Sequence, residues 1–515
     1  MSEPIIYELS SPGRCAVSLP DLDVPESELP PASLLREDLD LPEVAEVDLI
    51  RHYVNLSRMN YGVDVGMYPL GSCTMKYNPK VNEDAARLPG FTAIHPYQPE
   101  KSVQGCLQLM YELQEFLKKL SGFDAVSLQP AAGAQGELTG VLMMRAYHQA
   151  RGDFQRTVIL IPDSAHGTNP ASTTMSGYEM VELKSDRRGN VDLEDLKAHL
   201  GNNVAGMMLT NPNTLGLFDE NLLEITRLVH EAGGLMYGDG ANFNALMGVA
   251  KPAELGFDIM HFNLHKTFST PHGGGGPGAG PVGATKALAD FLPGPIVVAE
   301  ECLFDTVTGE RWEDVKDALG EEEGWDEEIE ETLCRKGLWY RLEMPARSIG
   351  RVKSFYGHFG VMVKAYAYIR MLGAEGLKEA SLAAVLNANY LQSILKKVYP
   401  LPYDRICMHE FVLEGRIEGA EGIRALDISK RLIDYGFHPP TNYFPLIVRE
   451  ALMIEPTETE SKRTLDAFAQ ALIRIAQEAR ENPQLLHDAP TKTPVGRLDE
   501  VRAARNPVLR WQRQG

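Results

Sequence analysis

Short apolar runs and longer amphipathic stripes alternate through the middle of the chain. Leu107, Met110, Leu113, Leu117 and Leu120 recur at three- and four-residue spacing, which predicts a helix with one apolar face. Ala125 to Leu128 reads as a strand, and after a small-residue loop a second helix runs through Met144. Thr157 to Pro162, Val204 to Leu209 and the run from Leu235 to Asp239 are further apolar strands, with a helix around Leu222 to Val229. Strands alternating with helices predict an α/β fold, a mostly parallel sheet flanked by helices. Further on, a helix carries Tyr366, Tyr368 and Ile369 and ends near Leu372-Gly373; Leu465, Phe468, Leu472 and Ile475 mark another core-facing stripe, preceded by a Thr457-x-x-Glu460 capping box. The expected division is an extended arm with a helical and loop segment over 1–90, a large domain over 91–345 and a smaller α+β domain over 346–515.

Composition sharpens this. With 515 residues, 44% of them hydrophobic, the chain can bury a large core. A net charge of −21 argues against nucleic acid or an anionic membrane as a partner. No apolar run approaches a membrane span, and the first twenty residues lack the features of a signal or transit peptide, so a cytoplasmic protein is expected. The six cysteines are scattered with no CxxC pair; neither a disulfide framework nor a metal site is expected. Proline and acidic residues fill the first 50 positions, the composition of an arm lying on a partner subunit or of a disordered tail. The stretch Glu300–Gly337, with Glu321–Glu323, Asp326–Glu328 and Trp325, reads as an acidic insertion with a solvated face.

The chemistry-bearing residues fall at the ends of the strands. His261 to Phe268 carries the chain to Lys266, followed by a loop with four glycines, Gly273 to Gly276. A lysine at the end of a buried strand can condense with an aldehyde to a Schiff base. Asp239, between two glycines, lies 27 residues earlier (266 − 239), room for one helix and one strand of a parallel sheet. A Schiff-base lysine and a carboxylate are the two anchors of pyridoxal 5'-phosphate, the carboxylate keeping the ring nitrogen protonated; Asp239 otherwise reads as a helix N-cap. The loop Gln129–Glu137, between strand and helix, offers backbone N–H groups to a phosphate: Gly133, Ala134 and Gly136 permit close approach and Gln135 can donate its amide. His166 ends another strand. Thr210 or Asn211 could bond the ring hydroxyl. Two polar loops, with Ser72 and Cys73 in one and His95 in the other, are candidates for the substrate side. Arg347 and Arg351 are carboxylate partners or surface charges.

Five motifs, Tyr68–Lys76 (YPLGSCTMK), Gly133–Glu137 (GAQGE), Ser164–Pro170 (SAHGTNP), Asp239–Asn242 (DGAN) and Asn263–Phe268 (NLHKTF), resemble the glycine decarboxylase P protein of the glycine cleavage system. The likeness is to the pyridoxal-phosphate-carrying second subunit of its split form and spans about Arg51 to Ser461. It implies fold type I of the pyridoxal-phosphate enzymes, with a smaller C-terminal domain. It implies His166 stacked on the ring, Ala241 beneath it and His265 near the phosphate. It further implies decarboxylation of glycine, transfer of the aminomethyl group to the lipoyl arm of the H protein, and a heteromer with a first subunit, an α2β2 assembly. Two other readings stay open: another pyridoxal-phosphate lyase, such as a cysteine desulfurase or an acidic-amino-acid decarboxylase, and a non-catalytic binding subunit that keeps the fold.

Overall fold

The computed structural model describes residues 3–36, 39, 41–273, 278–319 and 333–511. Gly274–Gly276 and the acidic residues 321–323 and 326–328 with Trp325 lie outside the described residues. Seven strands form the main sheet: β1 (Ala125–Ser127), β2 (Val158–Pro162), β3 (Glu179–Leu183), β4 (Val204–Thr210), β5 (Leu235–Asp239), β6 (Ile259–His261) and β7 (Val282–Ala284). Their order is β1-β7-β6-β5-β4-β2-β3. β3, β2, β4, β5 and β6 run parallel; β7 is antiparallel to both its neighbours.

Burial on both faces explains the continuous apolar runs. Along β2, Val158 and Leu160 face one core with the helix Gln104–Ser121, while Ile159 and Ile161 face another with the helix Gly133–Ala150. Met236 and Tyr237 divide in the same way along β5. The helices and strands expected from the apolar spacing up to Asp239 are present, with ends that differ by a few residues.

Three local expectations change. The connection from β5 to β6 holds two 3₁₀ turns, Gly240–Ala245 and Pro252–Leu255, where a helix was expected. The helix through Tyr366 breaks at Gly373 (φ 63°, ψ −175°) but resumes, so the element is Phe359–Leu395. Its first half packs against the main sheet's core, and Ala388, Leu391 and Leu395 join a second core. That core lies under a three-stranded antiparallel sheet, and Gly373, in a conformation that glycine readily adopts, is the kink between the two helical stretches. The third change is at the last long helix, Lys462–Glu481. Its N-cap is Ser461, which accepts from the Thr464 N–H, so Thr457 and Glu460 do not form the cap.

Ile296–Asp305 (β8) and Cys334–Glu343 (β9) form a ten-residue antiparallel hairpin. The ends of the expected insertion are therefore strands. The small sheet comprises β10 (Phe411–Glu414), β11 (Thr441–Asn442) and β12 (Ala451–Ile454), in the order β10-β12-β11. The N-terminal segment leaves Leu19, Leu22, Leu29 and Leu34 more than three-quarters exposed. No helix among the described residues is long and apolar enough to cross a membrane.

Candidate active site

Asp239 closes β5 and is buried. Its Oδ2 accepts from the Asn169 amide (2.9 Å) and the Thr210 hydroxyl (3.4 Å), and its Oδ1 from the Ala241 N–H (3.1 Å). Burial alone would raise its carboxyl; His261, His166, the Asn169 bond and Lys266 outweigh that and hold it at about 2. It therefore stays ionised at neutral pH. Both readings of Asp239 have a physical basis, since the same side chain caps the 3₁₀ turn that follows it.

Lys266 does not end a strand. β6 stops at His261, and Lys266 sits in a turn in which its own N–H and that of Thr267 bond the Asn263 carbonyl at 3.1 and 3.2 Å. The ammonium donates to the Ser72 carbonyl at 2.7 Å. Ser72 Oγ in turn lies 2.7 Å from His166 Nε2. One residue of the Tyr68–Lys76 loop thus joins lysine and histidine. His166 stacks on Phe444 (5.3 Å, 16°), and burial lowers its imidazole below the usual range. His265 turns away from Lys266: its Nδ1 accepts from the Ala279 N–H at 3.3 Å and its ring meets His272 edge-on. Burial, His272 and Lys266 take it down to about 3.

The glycines at 133, 136 and 140 have a packing role that the sequence did not suggest. A Cβ on Gly133 would lie 2.4 Å from Asn263 Oδ1, on Gly136 2.7 Å from His261 Cβ, and on Gly140 2.2 Å from Tyr237 Cε2. They seat the helix Gly133–Ala150 against β5 and β6. The Gln135 side chain is also engaged: its oxygen accepts from Ala131 N–H (2.6 Å) and its amide donates to the Val352 carbonyl (2.5 Å). Ala134 is exposed, and the helix has no side-chain cap at Ala132, so its first-turn N–H groups remain for an anion.

Several functional-looking residues carried no assigned role in the sequence reading. Glu137, buried beside Asp239, accepts from Thr168 Oγ1 and the Asn169 amide, both at 2.9 Å. Burial, then the Asp239 charge, push its carboxyl up to about 8. His261 bonds Tyr237 OH at 2.7 Å and the Asn263 amide at 2.9 Å, and burial takes it down to about 4. Glu410 and Glu455 flank the small sheet and are fully buried. A histidine inside an apolar run, and glutamates abutting apolar strands, were the available signals.

Of the expected substrate-side residues, Ser72 is in the group. Cys73 is half-buried, and burial raises its thiol. His95 is exposed, its ring edge-on to Phe355 and tilted against Tyr97, and lines a separate cavity of about 400 Å³. Among the described residues no bond joins it to the lysine and aspartate. Arg347 lies over the Phe291 ring. Glu137, Asp239 and His261, like His409, Glu410 and Glu455, bring potential metal ligands within 4.8 Å of one another. The carboxyl groups of both clusters already accept hydrogen bonds, while neither ring nitrogen of His409 has a hydrogen-bond partner among the described residues.

Polar atoms without a protein partner gather on the same segments. Asn211 Nδ2 lies just past β4, and the Thr267 and Thr270 hydroxyls and His272 Nε2 lie on the lysine's loop. Asn211 Oδ1, by contrast, accepts from the Asp219 N–H. Buried donors lacking partners suit a polar ligand. With an ionised carboxylate, a lysine amine and an uncapped helix start, they fit pyridoxal phosphate.

Solved structures share this arrangement of strands. A glycine decarboxylase (P-protein) of the glycine cleavage system, in inhibitor-bound form, matches 86% of this chain and 93% of its own with a TM-score of 0.68 and 22% identity. The glutamate decarboxylase of Lactobacillus brevis matches 90% and 96% with a TM-score of 0.59 and 12% identity. The fold is type I of the pyridoxal-phosphate-dependent enzymes. Sequence narrows this further. The model of the glycine cleavage system P-protein matches residues 19–302, and that of the glycine dehydrogenase C-terminal domain matches 380–492. The probable glycine dehydrogenase (decarboxylating) subunit 2 of Caldanaerobacter subterraneus is 60% identical over 98% of each chain, and that of Halalkalibacterium halodurans 54% identical over 99% and 98%. The chain belongs to the glycine cleavage system P-protein family, as the second subunit of its split form.

Proposed function

We propose that the chain decarboxylates glycine with pyridoxal phosphate bound covalently at Lys266, and that the aminomethyl group passes to the lipoyl arm of an H protein. The observation that carries this is that Lys266 lies near enough to the buried Asp239 for its charge to help keep that carboxyl ionised, beside the uncapped helix start at Gly133. Bound there, the cofactor supplies an electron sink for the bond between Cα and the carboxylate.

The chain's residues have separable tasks. Asp239 holds a proton on the ring nitrogen, because its own carboxyl stays ionised. The N–H groups of Ala134 and Gln135 would hold the phosphate, with the unpartnered Thr267 and Thr270 hydroxyls as further donors. Asn211 Nδ2 serves the ring hydroxyl, with Thr210 held on Asp239. Ala241 and His166 would hold the ring, His166 steadied by Ser72 and Phe444 with its imidazole lowered by burial. The partner is the first subunit, in an α2β2 assembly, and the exposed leucines of the N-terminal arm lie on it. A desulfurase reading is disfavoured by Cys73, since burial raises its thiol and works against a thiolate.

Replacing Lys266 with Ala should abolish the visible absorbance of the bound cofactor and the exchange of labelled carbon dioxide into glycine. That exchange is to be measured with and without the first subunit and H protein. A variant with normal absorbance and exchange would overturn the assignment.

A further inference from the structure

The Tyr68–Lys76 loop is strained where it meets the lysine. Ser72 has φ 64° and Thr74 φ 42°, left-handed values that non-glycine residues rarely adopt and that disfavour a β-branched side chain most. Such strain persists only where surrounding structure enforces it.

The enforcing groups come from the small sheet. β10 and β12 pair antiparallel with Phe411 opposite Ile454, so Glu410 and Glu455 leave the same end of the sheet side by side. Glu410 accepts the Ser72 N–H at 2.6 Å and the Asn242 amide at 3.3 Å. Glu455 accepts the Thr74 N–H at 2.9 Å and the Thr74 hydroxyl at 2.5 Å. The loop is fixed to the same sheet at three further points. Leu70 bridges Ile454, the Glu455 N–H bonds the Pro69 carbonyl (3.3 Å), and the Thr441 hydroxyl bonds the Gly71 carbonyl (2.8 Å). Held this way, Ser72 presents its carbonyl to Lys266 and its hydroxyl to His166.

We propose that Glu410 and Glu455 are positioning residues of the reaction, two carboxylates that clamp Ser72 and Thr74 in left-handed conformation so that Ser72 aligns Lys266 with His166. Two carboxyl groups buried side by side, both raised by burial and Glu410 further by Glu455, are a costly way to fill a core. Apolar residues there would leave the Ser72 and Thr74 N–H groups unpaired and the loop free to relax. The role rests on the reading of Lys266 above, yet it is tested without it.

The test is amide exchange by mass spectrometry over residues 69–76, on the full chain assembled with its first subunit. Glu410→Ala and Glu455→Ala should each speed exchange of this segment about tenfold, leaving β4 and β5 protected. Glu410→Gln, which keeps a carbonyl acceptor for Ser72, should stay near wild type and keep its turnover, whereas Glu410→Ala loses turnover with cofactor content unchanged. Adding Thr74→Gly to Glu455→Ala should recover turnover in part, since glycine accepts the left-handed conformation unaided. If an alanine variant fails to fold, Glu410→Asp, which withdraws the carboxylate by one methylene, should produce the same local loss. Unchanged exchange over 69–76 in the alanine variants, or in Glu410→Asp where alanine does not fold, overturns the clamp, as does acceleration spread evenly over the main sheet. Either result leaves the assignment of Lys266 standing, because that is read by its own variant.

Discussion

Gly140 sits in the middle of the helix Gly133–Ala150. Gly140→Ala puts two effects of opposite sign in competition. Alanine is the better helix former by about 1 kcal/mol, which alone predicts stabilisation. Against this, the new methyl carbon would lie 2.2 Å from Tyr237 Cε2, 2.7 Å from Cδ2 and 3.1 Å from Ile259 Cγ2. Carbon atoms settle at about 3.5–4.0 Å, so helix and strand must part by more than an ångström or the ring must swing. The ring is poorly placed to swing: Tyr237 is fully buried, and its hydroxyl is tied to His261, which also bonds Asn263. Overpacking of this kind costs about 1–3 kcal/mol, and the severity of the contact favours the upper end. The net expectation is a loss of about 1–2 kcal/mol in the urea unfolding of the main sheet. Gly360→Ala is the control, because its methyl meets nothing within 4 Å, and it should be neutral or slightly stabilising. A Gly140→Ala protein as stable as wild type would refute the account of these glycines as a seat for the helix.

Two further outcomes follow from the buried charges. Glu137, pushed up to about 8, keeps in the folded chain a proton that the unfolded chain releases above about pH 4. The unfolded state then binds fewer protons, so this group makes stability fall as pH rises from about 4 to about 8, by at most about 1.4 kcal/mol per unit. Glu137→Gln should flatten that slope in urea unfolding of the cofactor-free chain, and parallel curves for the two proteins would contradict it. Lys76, buried, donates to Glu458 (2.7 Å), Asn244 (2.8 Å) and Tyr368 (3.2 Å). Lys76→Ala strands a largely buried carboxylate and should cost about 3–5 kcal/mol, with Lys76→Met plus Glu458→Leu recovering most of it. If the double variant is no more stable than the single one, the stranded charge is not the cause.

What could be read from the sequence, and what could not, divides along the physics of range. The strands, the helices between them and Asp239 and His166 were legible because each depends on neighbours within a few residues. An apolar run sets a strand, and the polar residue that ends it faces the sheet's carboxyl edge. Lys266 was legible as chemistry, while its turn was not, because no periodicity distinguishes a strand end from the coil after it. The glycines at 133, 136 and 140 look the same whether they admit a phosphate or a neighbouring strand. Only the positions of His261 and Tyr237 decide, and those lie a hundred residues away. Glu410 and Glu455 are the extreme case, since their partners are 338 and 381 positions distant. A glutamate beside an apolar strand reads as its solvated end until the fold brings a strained loop onto it. Once the fold pairs β10 and β12 as neighbours, two carboxyl groups at one end must either face water or share a donor-rich surface. Their burial selects the second, and it makes the small sheet part of the site rather than a cover for it.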